Sequence, residues 1–341
     1  MNTERRRPTN IGGQAVMEGV MMRNDFRYAT AVRTGENKIE MDKREYTSLT
    51  QRNFLAGLPI VRGGIVFIES LVMGVKILGY SADFFETQEQ EPSKFDKWLE
   101  EKLGDNFAKV AVAISVVVSL ALSIGLFFLL PALISQYLSP LFSESSRVMN
   151  LIDGIIRIII LLLYMFGISF IKDIHRVFQY HGAEHKTINC YESGADVTVE
   201  NVMKASRFHK RCGTNFVFIV VAVSIIVLVL INVDTLWLRI GVRLLTLPLI
   251  AGISYEILKL FGKFDNGMIN ILSFPGMMLQ RITTKEPDET QVEVAITSFL
   301  AVLKTDEWEV SEERKEGGKE LAKEVKKEVE QEEKDESEKA S

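Results

Sequence analysis

The chain is poor in the residues that build several common protein classes. It has two cysteines in 341 residues, which excludes a small disulfide-built secreted domain. Its eight prolines and 23 glycines show no regular period, so it is not collagen-like. Basic residues are not in excess: 40 Lys and Arg face 45 Asp and Glu. The uniformly basic footprint of a nucleic-acid binder is therefore missing, and no nucleic-acid partner is expected. No apolar run follows Arg5, Arg6 and Arg7, so no cleavable signal peptide is expected. Histidine is also scarce, with four residues.

What the chain has is segregated. Nearly half of it is apolar (47%) while a quarter is charged, so the apolar residues are gathered in blocks. Residues 306–341 carry a net charge of -7, leaving +2 on the rest. Four blocks are long enough to cross a bilayer, which takes about 20 apolar residues. They are Val110 to Ile134, Leu151 to Ile171, Phe216 to Leu236 and, less pure, Leu238 to Phe261. The loop 172–215 holds Lys172, Arg176, Lys186, Lys204, Arg207, Lys210 and Arg211, while 135–150 holds only Arg147. The positive-inside rule then puts this loop and both termini in the cytoplasm of a multi-pass plasma-membrane protein. Asp153, Arg157, Asp234, Arg239 and Arg243 fall toward the outer interface, where pairing and snorkelling are expected.

Residues 54–85 read differently. Arg62, Glu69, Lys76 and Asp83 recur every seven residues, one charged stripe on an otherwise apolar helix. An amphipathic helix lying in the interface or packed on the bundle is expected. Before it, Tyr28 to Arg33 and Lys38 to Met41 flank a turn-forming Thr-Gly-Glu-Asn, and Ala15 to Met22 is a third strand candidate. Gly12-Gly13 lacks the spacing of a phosphate loop. The fold class expected is mainly α: four transmembrane helices, an amphipathic helix, a small N-terminal β element and a cytoplasmic His/Cys loop. The segments are 1–53 (cytoplasmic, β-rich), 54–105 (interfacial helix and linker) and 106–262 (the four-span domain with loop 172–215). After them come 263–304, with a small cytoplasmic helix, and the Glu/Lys tail 305–341, where a cytosolic protein partner could dock.

The chemistry is concentrated in that loop. All four histidines (His175, His181, His185, His209) and both cysteines (Cys190, Cys212) fall within 38 residues. Cytoplasmic thiols stay reduced, so metal ligation or thiol chemistry is expected. His181-Gly-Ala-Glu184-His185 is the inverted zincin spacing, His-x-x-Glu-His. Residues four apart share one helical face, so two imidazoles can hold one divalent transition ion, zinc being the natural choice. Glu184 can act as general base. A third ligand must come from elsewhere. Cys212 and His209, on a short helix 200–212 ending at Gly213, and Glu256 are the candidates; Glu18 is a weaker one. Cys190 reads as a small buried residue. A hydrogen-bonded structural cluster is the competing reading of the loop.

Longer blocks carry a resemblance. Gly12-Gly13-Gln14-Ala15-Val16-Met17-Glu18-Gly19-Val20-Met21-Met22-Arg23 resembles the opening of the YqhQ-like family of bacterial membrane proteins. The segments His181 to Lys186, His209 to Phe216, Pro248 to Glu256 and Gln280 to Pro287 resemble its other hallmarks. The resemblance covers about residues 10–300. It implies a multi-pass membrane protein in a family of unknown function labelled as predicted metal-dependent enzymes, and it brings Gln14, Glu18 and Arg23 close to the functional face. The function expected is metal-assisted hydrolysis of a lipid-linked or membrane-embedded substrate at a cytoplasmic juxtamembrane site. A non-enzymatic scaffold or assembly factor is the alternative, and a transporter is a third reading.

Overall fold

The computed structural model describes residues 9–24, 26–35, 38–84, 107–142, 146–230, 236–264 and 266–303. The Glu/Lys tail, the linker 85–105 and Asp234 lie outside the described residues, as do the side chains of Arg147, Arg239 and Arg243. The unit built here runs to Val302; of the second unit, Leu303–Ser341, only Leu303 is described.

Four strands open the chain: β1 (Gly12–Val16), β2 (Gly19–Asn24), β3 (Arg27–Arg33) and β4 (Ile39–Glu45). They form an antiparallel meander in chain order, with β1 and β4 at the edges. β3 and β4 pair as the hairpin expected after Arg33, and Glu36 and Asn37 of the expected turn lie outside the described residues. The single strand expected over Ala15 to Met22 is instead two, broken by a tight turn at Met17-Glu18. Glu18 there takes a left-handed φ of 50°, a conformation that costs a non-glycine residue about 1 kcal/mol. Its carboxylate compensates by accepting from Arg176 and from the Tyr180 hydroxyl at 3.1 Å.

Period-2 alternation gives the sheet two buried faces. Val16, Met21 and Val32 pack on Met73 and Ile77 of α1 (Val61–Ala82). On the other face, the Ser298 hydroxyl of the last helix, Glu289–Leu303, is inserted between strands. It accepts from Met22 N–H at 3.0 Å and donates to the Ala29 carbonyl at 2.8 Å. That helix lies within 263–304, where a small helix is expected.

The apolar helices follow. α2 (Phe107–Ile124) passes through a π-helical turn, Gly125–Leu129, into α3 (Leu130–Phe142). Pro131 accounts for the widening, since it has no N–H to offer the preceding turn. Next come α4 (Ser146–Ile168), α5 (Lys172–Glu192), α6 (Val199–Lys204), α7 (Gly213–Leu230), α8 (Leu236–Lys263), α9 (Gly267–Thr283) and α10 (Glu289–Leu303). α1 packs on α8, α8 on α7, α7 on α4 and α9, and α4 on α3.

Four stretches among the described residues are long and apolar enough to cross a membrane: Val61–Ala82, Ile114–Leu138, Val148–Ile168 and Leu245–Lys263. This set differs from the one read from sequence. Residues 54–85, taken as an interfacial helix, contribute Val61–Ala82. Two of the four stripe charges are paired, while Lys76 and Asp83 are exposed. Arg62 grips Glu256 of α8 at 2.6 and 2.5 Å, and Glu69 accepts from Ser48 and Leu49. The span expected over Phe216 to Leu236 corresponds to α7, whose apolar part is described only over Gly213–Val227. Asp153 and Arg157 do not snorkel. They pair at 3.3 Å in the interior, and Arg157 also reaches Ser224 of α7 at 3.4 Å.

Candidate metal centre

A break separates α5 from α4. The helix ends at Ser169, whose hydroxyl donates back to the Phe166 carbonyl at 2.6 Å. A new helix starts at Lys172 with Asp173 in its first turn, where an acidic side chain favours an N-terminus. This break lays α5 along β1 and β2. Nine of its residues, including Glu184 and His185, are buried.

The histidine spacing does what helical geometry requires. His181 and His185 lie one turn apart with ring centroids 4.4 Å from each other. The Nδ1 of His181 is 2.9 Å from the Thr283 carbonyl, and the Nδ1 of His185 is 2.7 Å from the Arg207 carbonyl. A carbonyl can only accept, so each Nδ1 carries a proton, and the lone pair that a neutral imidazole then keeps on Nε2 is the one a metal ion would take. This is the outer arrangement that holds metal-ligating histidines in position. The His181 Nε2 lies 3.1 Å from the Cys212 Sγ. The buried His185 Nε2 has no hydrogen-bond partner, and neither has the buried Glu184 Oε2.

His181, His185 and Cys212 offer donor atoms that all lie within 4.8 Å of one another. Zinc takes nitrogen at about 2.0–2.1 Å and thiolate at about 2.3 Å, placing tetrahedral donors about 3.3–3.7 Å apart. The donor set fits such an ion. Buried acceptors normally find partners, and a ligand at this point would satisfy the orphaned His185 nitrogen.

The electrostatics favour a deprotonated thiol. Burial opposes charge on both partners, yet the Cys212 thiolate pushes His181 up to about 9. In return the charges of His181 and His185, with the His181 hydrogen bond, hold Cys212 well below its ordinary range. The sulfur also accepts the Thr214 N–H at 3.3 Å at the start of α7, where the helix dipole favours negative charge. Burial raises the Glu184 pKa, opposed by the two histidines and the Gly13 N–H.

The remaining expected residues are distributed as follows. The helix expected over 200–212 stops at Lys204, and an irregular return carries His209 and Cys212. Gly213 starts α7 rather than stopping a helix. His209 stands outside the donor group, its Nε2 3.5 Å from Glu192. Glu256 is also outside, its carboxylate taken by Arg62. Glu18 holds α5 through Arg176, Arg23 lies over the Tyr46 ring, and Gln14 lies against Gly74 of α1. His175 borders a separate shallow pocket with Arg176. Cys190 is buried and free.

Sequence reasoning missed the residues that hold the centre in place. Buried Gln280 accepts from the His209 N–H at 2.9 Å and donates to the His209 carbonyl at 2.7 Å, fixing the return segment. Gly13 gives Glu184 its hydrogen bond, and a Cβ there would sit 2.9 Å from the Glu184 carboxyl carbon and 2.5 Å from the Met21 carbonyl oxygen. Both residues lie in blocks that carried the family resemblance, which was the only available signal. A cleft of about 760 Å³ opens onto the donor group, bordered by residues 10–15, α5 and the last turns of α8. Its size is that of an ordinary small-molecule site.

A mainly helical protein, with four helices long and apolar enough to cross a membrane and a buried two-His, one-Cys group that can hold a metal ion, is the class defined here. The chain belongs to the family described as "Protein of unknown function (DUF1385)", which matches residues 58–305. It is 37% identical over 299 residues to "Uncharacterized protein YqhQ" of Bacillus subtilis (strain 168), covering 87% of this chain and 93% of that protein. No solved structure matches.

Proposed function

We propose that this protein is a membrane-embedded, metal-dependent hydrolase of the zinc type, with its site on the cytoplasmic side of the plasma membrane. The observation that carries the reading is the convergence of two Nε2 atoms, that of His185 without a hydrogen-bond partner, and one sulfur beside the orphaned Oε2 of Glu184. Three protein ligands leave a coordination position open, as catalytic zinc sites do. A bound ion would supply Lewis acidity toward water and toward the oxygen of a scissile group.

The protein's own residues supply the rest. Thr283 and Arg207 keep the two imidazoles in the ligating tautomer through their carbonyls. Glu184, between the two histidines, takes a proton from the attacking water; its burial raises its basicity toward neutral pH. Gly13 holds that carboxylate through one hydrogen bond. The cleft meets the ends of α7 and α8, which supports access for a membrane-embedded or lipid-linked substrate from the bilayer boundary. The seven basic residues of 172–215 support a cytoplasmic placement of the site and of both termini.

Glu184→Gln provides the test. It should keep its metal while metal-dependent hydrolysis of p-nitrophenyl acetate falls by about 10²-fold or more, the usual contribution of a general base. Wild-type rates in the metal-loaded variant would remove Glu184 from the reaction.

A further inference from the structure

The cleft has a backbone wall. β1 is an edge strand: it pairs with β2, and no described strand pairs with its other side. The tight turn makes Val16 and Gly19 the closing pair, with Gln14 opposite Met21 and Gly12 opposite Arg23. Antiparallel alternation then points the backbone groups of Gly12 and Gln14 toward β2 and those of Gly13 and Ala15 outward. The Gly13 N–H, which reaches Glu184, agrees with this register. Among the described residues, nothing hydrogen-bonds the outward Gly13 carbonyl or the outward N–H and carbonyl of Ala15.

That edge borders a trough. A second cleft of about 530 Å³ adjoins the first, and the two share Asn10, Gly12, Gly13, Gln14, Gly213 and Tyr255. A Cβ added to Gly12 or to Gly213 would meet nothing within 4 Å, so the space between the two walls is open. His181, Glu184 and Cys212 line one end of the trough, and Arg23, Ser48 and Gln51 line the other. An added strand sits about 4.8 Å from its neighbour and takes its main-chain bonds from that edge.

We infer that the substrate is an extended polypeptide segment, which adds to β1 as a fifth strand and presents a main-chain carbonyl to the donor group. This rests on the hydrolase reading and names its substrate class. The outward Gly13 carbonyl and the outward N–H and carbonyl of Ala15 recognise the peptide main chain, whatever its side chains, while the Gly13 N–H stays with Glu184. The small residues Gly12 and Gly13 let it approach closely. Hydrolysis consumes one water: its oxygen bonds to the carbonyl carbon, the C–N bond breaks, and Glu184 carries the proton to the departing nitrogen.

Fluorescein-labelled β-casein, an unfolded polypeptide, is a suitable probe. It should bind metal-loaded Glu184→Gln protein saturably and slow amide hydrogen exchange within residues 10–16, and the wild type should cleave it. Ala15→Pro removes an outward donor without touching the β1–β2 ladder, as proline is tolerated on edges. It should weaken casein binding about tenfold, the loss of roughly one main-chain hydrogen bond, with metal content and melting temperature retained. Saturable binding without slowed exchange at 10–16, or undiminished binding in a folded Ala15→Pro protein, overturns the proposal. So does metal-dependent hydrolysis of p-nitrophenyl acetate without casein binding, which leaves the hydrolase reading standing and points to a non-peptide substrate. Casein that protects 10–16 in a protein that takes up no metal overturns the hydrolase reading and keeps the edge as a binding site.

Discussion

Gly182→Ala separates two physical effects of opposite sign. Gly182 follows His181 in the interior of α5, and helix propensity alone would make alanine stabilising by up to about 1 kcal/mol. The structure predicts the reverse. An added Cβ would stand 2.0 Å from the Lys285 carbonyl oxygen, so segment 283–287 must retreat by about 1–1.5 Å to restore van der Waals contact. Two bonds are lost with that shift: Lys285 N–H to the Phe178 carbonyl at 2.8 Å, and His181 Nδ1–H to the Thr283 carbonyl at 2.9 Å. Overpacking of this kind costs about 1–3 kcal/mol, which exceeds the propensity gain. Freeing the imidazole from its outer partner should also weaken metal affinity about 10–100-fold. Melting of the metal-free protein in detergent reads the first effect, and zinc competition against a chromophoric chelator reads the second. Gly79→Ala is the control, because a Cβ at that helical position meets nothing within 4 Å; it should be neutral or slightly stabilising. A Gly182→Ala protein as stable as the control variant, with wild-type zinc affinity, would refute the packing of 283–287 on α5.

Other perturbations have defined outcomes. Asp153→Ala removes the carboxylate paired with the buried Arg157 guanidinium and should cost about 3–5 kcal/mol, with Asp153→Leu/Arg157→Leu recovering much of it in the same melting assay. Glu256→Gln should leave zinc stoichiometry unchanged while lowering the melting temperature, because its carboxylate serves Arg62; loss of zinc there would restore Glu256 as a ligand. Acid should destabilise the metal-free protein in two stages. Burial holds His209 below its ordinary 6.5, while His209 and Arg211 hold Glu192 below its ordinary 4.5 against the effect of burial. Both folded values are depressed, so the stabilisation is complete above the unfolded values and is lost as pH falls below 6.5 and then 4.5. His209→Gln should flatten the upper stage, and a melting temperature that rises between pH 7.5 and 5.5 would contradict the assignment.

Local pattern made much of this architecture legible. Long apolar blocks announced the helices, the Thr-Gly-Glu-Asn turn announced the β3–β4 hairpin, and His-x-x-Glu-His put two imidazoles on one face of α5. Long-range pairing was hidden. Arg62 and Glu69 of the charged stripe looked solvated because their partners, Glu256 and Ser48, lie far off in sequence. The same blindness made Glu256 look like a free intramembrane carboxylate. Cys212 could be chosen over His209 only once the irregular return 205–212 was in place, and a clamp across 71 residues by Gln280 sets that path. Gly13 read as a featureless glycine because its role is to leave room for Glu184.

Metal content tests the central claim most directly. Untagged protein, gently purified, should carry about one zinc or other transition ion per chain by inductively coupled plasma mass spectrometry. His181→Ala/His185→Ala and Cys212→Ser variants expressed at normal abundance should carry little or none. Wild-type protein without a bound transition ion that also takes up none on zinc titration, or variants with undiminished metal, would contradict the account.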